Sequence, residues 1–490
     1  MCASYAGERY FEMTDESQIR DANTRPSQTS VFIWLFAIAS IWHYTSSSSD
    51  IVNYWFHYDP LVTPLIFLSI ATAFIAACFP TRTIALLVFS VGQLVAICLR
   101  FPFVADHLVM ELFLHISIVL SFIYLAMKRR SLRITTTEMF DLFSPVGRWL
   151  LIIMYLYGTF HKINPGFMSL DSSCAIPFLQ GFPLISGLAS HEWLQYVAIY
   201  GTLIFEIVAM FLLLSTRTKY VGMLLGMTFH FMIGISDYGT LAHFSAFALA
   251  LHTLFVPSGF GQRICQERYL PAFLKTATNF QVVTIGLVLL QVLLALHMAT
   301  TREAYLVNTL FAVFAVTLIA LVFKHGSIRQ GDAPYRLRSA FLPLNLLPIW
   351  FFLYCLSPYI GLGTGGVLAM FSGLRTEGGI SNHYIIRKPI PLFHYQDTII
   401  YVEDALNDSL NIAVKQKQGI VAFDFQRHFS ERENLALPVR LKIGDTIYPI
   451  DSPDDFAAFV QEHFKAQSWL ERKYMSFRLV DEPHPNQCRH

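Results

Sequence analysis

Apolar residues gather in runs of about 15–22 along much of this chain, long enough at 1.5 Å per residue to cross about 30 Å of hydrocarbon. The runs lie near 31–45, 61–79, 83–99, 107–127, 147–160, 194–214, 219–235, 240–257, 280–299, 304–323 and 341–357. This pattern predicts an α-helical polytopic membrane protein with about 11 transmembrane helices. The runs 31–45 and 147–160 are short, and 341–357 is interrupted by Pro343 and Pro348. A further stretch, 358–372, is apolar but rich in glycine, and reads as a re-entrant segment or a short helix.

From residue 374 the pattern changes. Charges of both signs appear, apolar patches shorten, and DTIIYVED and LPVRLKIGDTIYPI read as strands, the second with a hairpin at Gly444-Asp445. Ser452 and Pro453 before DDFAAFVQEHF supply an N-cap and a first-turn proline. GIVAFDFQRHFSEREN reads as another helix. The expected organisation is a cytoplasmic N-terminal segment (1–30), a transmembrane bundle (31–373) and a small C-terminal α+β extramembrane domain (374–490).

Composition agrees: 54% of the 490 residues are hydrophobic and 14% charged, against about 25% charged in ordinary soluble domains. A net charge of +1 gives no electrostatic case for nucleic acid. Residues 1–30 are polar, without the apolar core of a cleavable signal, so the run from residue 31 is expected to start insertion itself. Up to the tail, lysine and arginine crowd one set of loops, as in Lys128-Arg129-Arg130. The alternate set holds only Arg100, Lys162 and Arg302. By the positive-inside rule the N-terminus is cytoplasmic and, with an odd number of spans, the tail is periplasmic or lumenal. A bacterial inner membrane is the expected location. The cysteines show no CxxC and no metal spacing. Cys78, Cys98, Cys265 and Cys355 lie in or beside apolar runs, and no disulfide framework is indicated.

Ionisable residues inside hydrocarbon are functional candidates by default. With this orientation, Asp106, His107, Glu111, His161, Lys162, Glu206, His230, His243 and His297 gather in the outer half of the bundle, or at its outer end. His107, Glu111 and His115 share one helix face at i, i+4, i+8. These ligand types do not make a complete metal box: no second HxxxE pair and no HExxH is present, so no metal is expected. Lys162 read alone is a snorkelling boundary lysine. Glu111 and Glu206 lie well inside apolar runs and need a partner, for which Lys162 and Arg100 are the natural choices.

YGTFHKINPGF resembles a segment of the vitamin K-dependent γ-carboxylases and their bacterial relatives, the horizontally transferred transmembrane domain family. FPFVADHLVMELF, FEIVAMFLLLSTRTKYVGMLLGMTFHFMIGI, AHFSAFALALHTLFVP and MFSGLRTEGGISNHY resemble further family segments in the same order, over roughly residues 30–385. The resemblance implies a lysine, here Lys162, that deprotonates reduced vitamin K or another menaquinone-type quinol. O2 and CO2 are co-substrates: the quinol is converted to its epoxide, and the strong base so generated allows a glutamate to be carboxylated. By the same resemblance His107 and His230 would orient or stabilise the quinone oxygens; His161, Glu111, Glu206 and His243, from the outer polar cluster, are the candidate binding residues. Burial disfavours an ammonium over an amine, so a dry lysine can serve as a base near neutral pH. This sequence departs from the family pattern at His161 and Asp106, and its tail is far smaller than the lumenal region of the animal enzymes. A peptide or protein substrate on the outer face therefore stays open. The alternatives are a membrane protein that binds or transports a lipid, quinone or small anion without reaction, and a scaffold whose tail recruits partners.

Overall fold

The computed structural model describes residues 27–46, 60, 62–183, 185–238, 241–266, 279–301, 305–330, 332–333, 335–390, 392–406, 408–429, 435–481 and 488. The N-terminal segment 1–26 lies outside them. The chain is mostly helical, with a small antiparallel sheet near its C-terminus.

Among the described residues, six helices are long and apolar enough to cross a membrane: Thr83–Arg100, Asp106–Arg129, Thr136–Phe160, Glu192–Leu214, Phe280–Met298 and Tyr305–His325. Gln28–His43, Val62–Cys78, Lys219–Ile235, Ala242–Phe255 and Leu342–Tyr354 are apolar but shorter. All eleven predicted runs coincide with helices, yet a helix of about 16 residues reaches only about 24 Å, so length alone supports six spans. The run 147–160 is the second part of a longer helix. Thr136–Phe160 begins with a reciprocal cap, in which the Thr135 amide donates to Glu138 Oε2 at 2.9 Å and the Glu138 amide to Thr135 Oγ1 at 3.3 Å. Pro145 inside it hides the first half from an apolar-run reading.

Some of these helices turn a stripe of apolar side chains outward. Glu192–Leu214 exposes Trp193, Val197, Tyr200, Ile204 and Phe211 while burying Glu206. On Thr83–Arg100 the exposed stripe is Ile84, Val88, Val91, Val95 and Leu99. Such faces suit hydrocarbon.

The chain divides into two compact units. The first comprises Met1–Ala96, Leu114–Ile152 and Ala209–Leu347. In it Gln28–His43 packs on Val62–Cys78 and Ala242–His252, and Lys219–Ile235 packs on Ala242–His252 and Tyr305–His325. Gly234 lets the last of these close in, since a Cβ there would lie 2.3 Å from the Phe311 ring. Two buried cations serve structure here. Arg148 Nε donates to the Leu254 carbonyl at 2.9 Å and Lys219 Nζ to the Phe255 carbonyl at 2.8 Å, with Tyr335 between their charges. They satisfy carbonyls that the end of a helical segment leaves open.

The second unit comprises Ile97–Phe113, Ile153–Val208 and Pro348–His490. Its sheet has the order β4-β3-β1-β2-β5, with β1 Ile399–Ala405, β2 Gln418–Val421, β3 Val439–Ile443, β4 Thr446–Ile450 and β5 Val480–Asp481. Ile400, Val402, Leu441 and Ile450 form one core with Phe425, Phe456 and Phe459 from the helices. The predicted hairpin is present: Ile443 faces Thr446 across a two-residue turn in which Gly444 has φ 58°. Ser452 caps Pro453–His463 as expected. GIVAFDFQRHF is a strand followed by a helix rather than one helix. Gly419–Val421 pair with β1, and the helix begins only at Ala422. The structure also corrects the cysteine reading. Cys174 and Cys488 form a disulfide with Cα atoms 5.0 Å apart and a sequence separation of 314, which no local spacing could reveal. The four cysteines in or beside apolar runs are free, Cys78 and Cys355 buried and Cys98 and Cys265 partly so.

Candidate active site

The segment YGTFHKINPGF separates into two jobs. Helix Thr136–Phe160 runs out into a tight turn, in which the Lys162 amide donates to the Thr159 carbonyl at 3.0 Å and the Ile163 amide to Phe160 at 3.1 Å. Asn164 then caps Pro165–Met168 by accepting from the Phe167 amide at 3.0 Å. Its Nδ2 donates to the carbonyls of His161 and Ser372, at 2.7 and 2.8 Å. The turn is therefore fixed on both sides, and with it the direction of the Lys162 side chain.

Lys162 Nζ lies 2.5 Å from Glu206 Oε1, across 44 residues of sequence. Only 9% of Lys162 and 6% of Glu206 is exposed, so each is the counter-charge that makes burial of the other tolerable. Thr159 Oγ1 donates to Glu206 Oε2 at 3.5 Å. Gly158 opens space for the carboxylate, because a Cβ there would lie 3.3 Å from Oε1. The Phe167 ring covers the amine, its centroid 5.6 Å from Nζ.

The other job is to hold a buried stretch of irregular backbone. After the short helix Ser357–Ile360, the glycine-rich region continues without regular structure to Thr376. Leu368 and Phe371 adopt left-handed φ values of 60° and 57°, a conformation that costs about 1–3 kcal/mol at each non-glycine residue. Buried peptide groups need partners, and polar side chains provide them. His161 Nε2 donates to the Val367 carbonyl at 3.2 Å, and the Tyr359 hydroxyl donates to Nδ1 at 2.9 Å, a tautomer set by these partners. Asp106 Oδ2 accepts from the Met370 amide at 3.2 Å. Arg478 donates to the carbonyls of Ala369 and Leu374, at 3.1 and 2.7 Å. His383 Nε2 donates to the Phe160 carbonyl at 2.8 Å, while Nδ1 accepts from the amides of Ile385 and Ile386. Burial pushes the His383 pKa down, consistent with the neutral ring.

Of the residues singled out in the sequence, Lys162, Glu206, His161, His107 and Glu111 all belong to the second unit. His107 and Glu111 are buried one turn apart on Asp106–Arg129. His230 and His243 belong to the first unit. There His230 is buried with its ring 5.4 Å from that of Phe244 and 5.8 Å from that of His252. The His243 ring lies 5.2 Å from His43, with Nδ1 3.4 Å from Ser46 Oγ. His115, also in the first unit, packs between the rings of Phe36 and Phe89 and pairs with Ser90 Oγ at 3.2 Å. Tyr359, His383 and Arg478 escaped sequence reading. Tyr359 looks like an ordinary apolar-run residue, and Arg478 comes from a charged tail more than 300 residues beyond Lys162.

The class defined by fold and site is a mostly helical chain with, among the described residues, six helices of membrane-spanning length, and a buried lysine–glutamate pair beside a buried irregular loop. No protein-family model matches the chain, and no curated protein or solved structure is significantly similar to it.

Proposed function

We propose that this is a multi-pass membrane enzyme of the vitamin K-dependent γ-carboxylase type, with Lys162 as the base that acts on a reduced quinone. The carrying observation is the Lys162–Glu206 contact at 2.5 Å, both groups buried. Two residues chosen on separate grounds, one from a motif and one from its depth in an apolar run, are partners in the folded chain. In this reading all eleven apolar helices cross or enter the bilayer, the N-terminus is cytoplasmic and the tail is periplasmic. The Cys174–Cys488 link supports that side, since disulfides persist in oxidising compartments.

The donor set fits a hydroquinone head group. Once the ion-pair proton moves from Nζ to Glu206 Oε1, the amine can accept a phenolic proton, and the carboxyl holds the first proton nearby. Thr159 and Gly158 keep that carboxyl in place, and Phe167 shields the amine from water. A bound quinol would supply the electrons that reduce O2, with CO2 the co-substrate of any carboxylation. Helix Glu192–Leu214, whose buried face carries Glu206, offers lipid an apolar outer face, which suits a co-substrate arriving from the membrane.

The test uses the full chain in lipid nanodiscs with a reduced naphthoquinone, oxygen and bicarbonate, with and without a glutamate peptide. Quinone epoxide is followed by chromatography. Lys162→Ala is expected to lower epoxide formation by about 100-fold or more, the range of a general base. Equal epoxide from both proteins rejects the reading. Saturable quinol binding without product would instead support the non-catalytic alternative.

A further inference from the structure

Two stretches of the second unit carry large apolar side chains in the open, interleaved with basic ones. In the first, Tyr384, Ile385, Ile390 and Leu392 are exposed, the last by 65%, and Arg387 and Lys388 between them are exposed as well. In the second, helix Trp469–Tyr474, Trp469 is 70% and Leu470 60% exposed, next to exposed Arg472. An exposed patch of this kind marks a surface that meets another phase or partner.

What these stretches are tied to identifies the partner. The Tyr384 amide donates to the Ile163 carbonyl at 3.0 Å, three residues past the end of helix Thr136–Phe160. The Ile390 amide donates to the Tyr359 carbonyl at 2.7 Å, just beyond helix Leu346–Tyr354. Lys473 Nζ donates to the Leu99 carbonyl at 2.7 Å, in the last turn of Thr83–Arg100, and the Tyr474 ring lies 5.4 Å from Phe101. Leu99 ends the exposed apolar stripe of that helix, and Phe103 beyond it is 63% exposed. Both stretches thus extend apolar helix faces from their ends: the second the stripe of membrane-length Thr83–Arg100, the first the face of the shorter Leu346–Tyr354, where Leu346, Ile349, Trp350 and Leu353 are exposed. They do so with tryptophan and tyrosine, the side chains that favour the boundary between hydrocarbon and head groups. Arginine and lysine at the same level match anionic head groups.

We propose that residues 384–390, with Leu392, and helix Trp469–Tyr474 are interfacial anchors that seat the C-terminal domain in the head-group layer of an anionic phospholipid leaflet. The domain then lies on the bilayer rather than standing free of it. This rests on the membrane reading above, but not on the chemistry of Lys162.

Spin labels on the full chain in nanodiscs test it, by comparing collisions with oxygen, which favours lipid, and with a water-soluble nickel chelate. Labels at Ile385→Cys and Leu470→Cys probe the anchors, with the free cysteines replaced by alanine. Ile204→Cys, on an apolar helix face, reports the membrane, and Ile447→Cys, on an exposed strand, reports water. The expected result is oxygen preference at 385, 470 and 204, and chelate preference at 447. Water-like behaviour at 385 and 470 with lipid-like behaviour at 204 overturns the anchors alone. Water-like behaviour at 204 overturns the membrane reading and the anchors together. In the native-cysteine protein, brominated lipid should quench wild-type emission more than that of Trp469→Phe, and equal quenching also overturns the proposal. Phosphatidylglycerol discs should give a stronger oxygen preference at 385 than phosphatidylcholine discs. Arg387→Gln with Lys388→Gln should abolish that difference, and its survival would overturn the anionic assignment.

Discussion

A buried ammonium and carboxylate held 2.5 Å apart make each other tolerable in the interior without making the fold much more stable. Desolvation of both charges offsets most of their attraction, whereas removing one partner strands the other at about 3–5 kcal/mol. Lys162→Met is therefore expected to lower the thermal midpoint of the purified chain. Lys162→Met combined with Glu206→Leu should recover most of the loss, while remaining as inactive as the single variant. An additive double variant would mean that the two side chains do not act as a pair. Asp424 offers a different test. Burial raises its pKa to about 6 from 3.8, despite Arg427 at 2.9 Å and the Phe477 amide it accepts from. An acid with a raised folded pKa favours the fold when protonated. The contribution of Asp424 to stability is thus greatest below about pH 4 and falls by about 3 kcal/mol as pH rises through 6. Amide exchange at Phe477, read from pH 4 to 7 after correction for intrinsic rates, should quicken in wild type and lose that dependence in Asp424→Asn. At this scale the sequence makes Lys162 and Glu206 visible because charge is rare in apolar runs. It leaves the job of His161 undecided, since its partners Tyr359 and Val367 lie about 200 residues away and one is a backbone carbonyl.

Beside the apolar faces, one close approach of backbones decides how elements pack around the turn. Gly166, in the turn after Lys162, and Gly373, at φ 64° in the irregular loop, meet backbone to backbone. A Cβ on Gly166 would lie 2.8 Å from the Gly373 carbonyl oxygen, and one on Gly373 3.0 Å from the Phe167 nitrogen. Gly166→Ala is expected to lift the loop from the turn and break the Asn164 bond to Ser372, lowering activity with little change in helical circular dichroism. Normal activity and unchanged amide exchange across 366–374 would show that the contact is dispensable. The helices themselves are legible because apolar runs of fixed length have few other readings. The start of Thr136–Phe160 is not, because a capped, proline-containing first half has no apolar run. β2 reads as helix because GIVAFDF suits both periods, and only pairing with β1 decides. Residues 361–376 are readable as non-helical from their glycines. Their path is not, because it depends on Asp106, His161, Asn164 and Arg478 arriving from three other parts of the chain.

At the scale of the whole molecule, the Cys174–Cys488 bond joins the region after the Lys162 turn to the last residues of the chain. No periodicity or loop-charge argument touches such a link. Orientation rests on lysine and arginine alone, and some of those residues, Arg148 and Lys219 among them, are buried and bonded to carbonyls rather than facing head groups. The disulfide thus supplies an independent measure of sidedness. If the tail is exported, the bond forms in cells. Digests of unreduced protein should then contain a crosslinked peptide pair holding Cys174 and Cys488, and a C-terminal alkaline phosphatase fusion should be active. Closing so long a loop should stabilise the fold by a few kcal/mol, within the usual range of about 2–5 for a native disulfide. Cys174→Ser with Cys488→Ser should therefore lower the thermal midpoint under non-reducing conditions and make it insensitive to reductant. A free Cys488 in cells, together with an inactive fusion, would place the tail in the cytoplasm and reverse the orientation of every span. In that case Lys162 would lie at the cytoplasmic face, and a periplasmic peptide could not be the substrate.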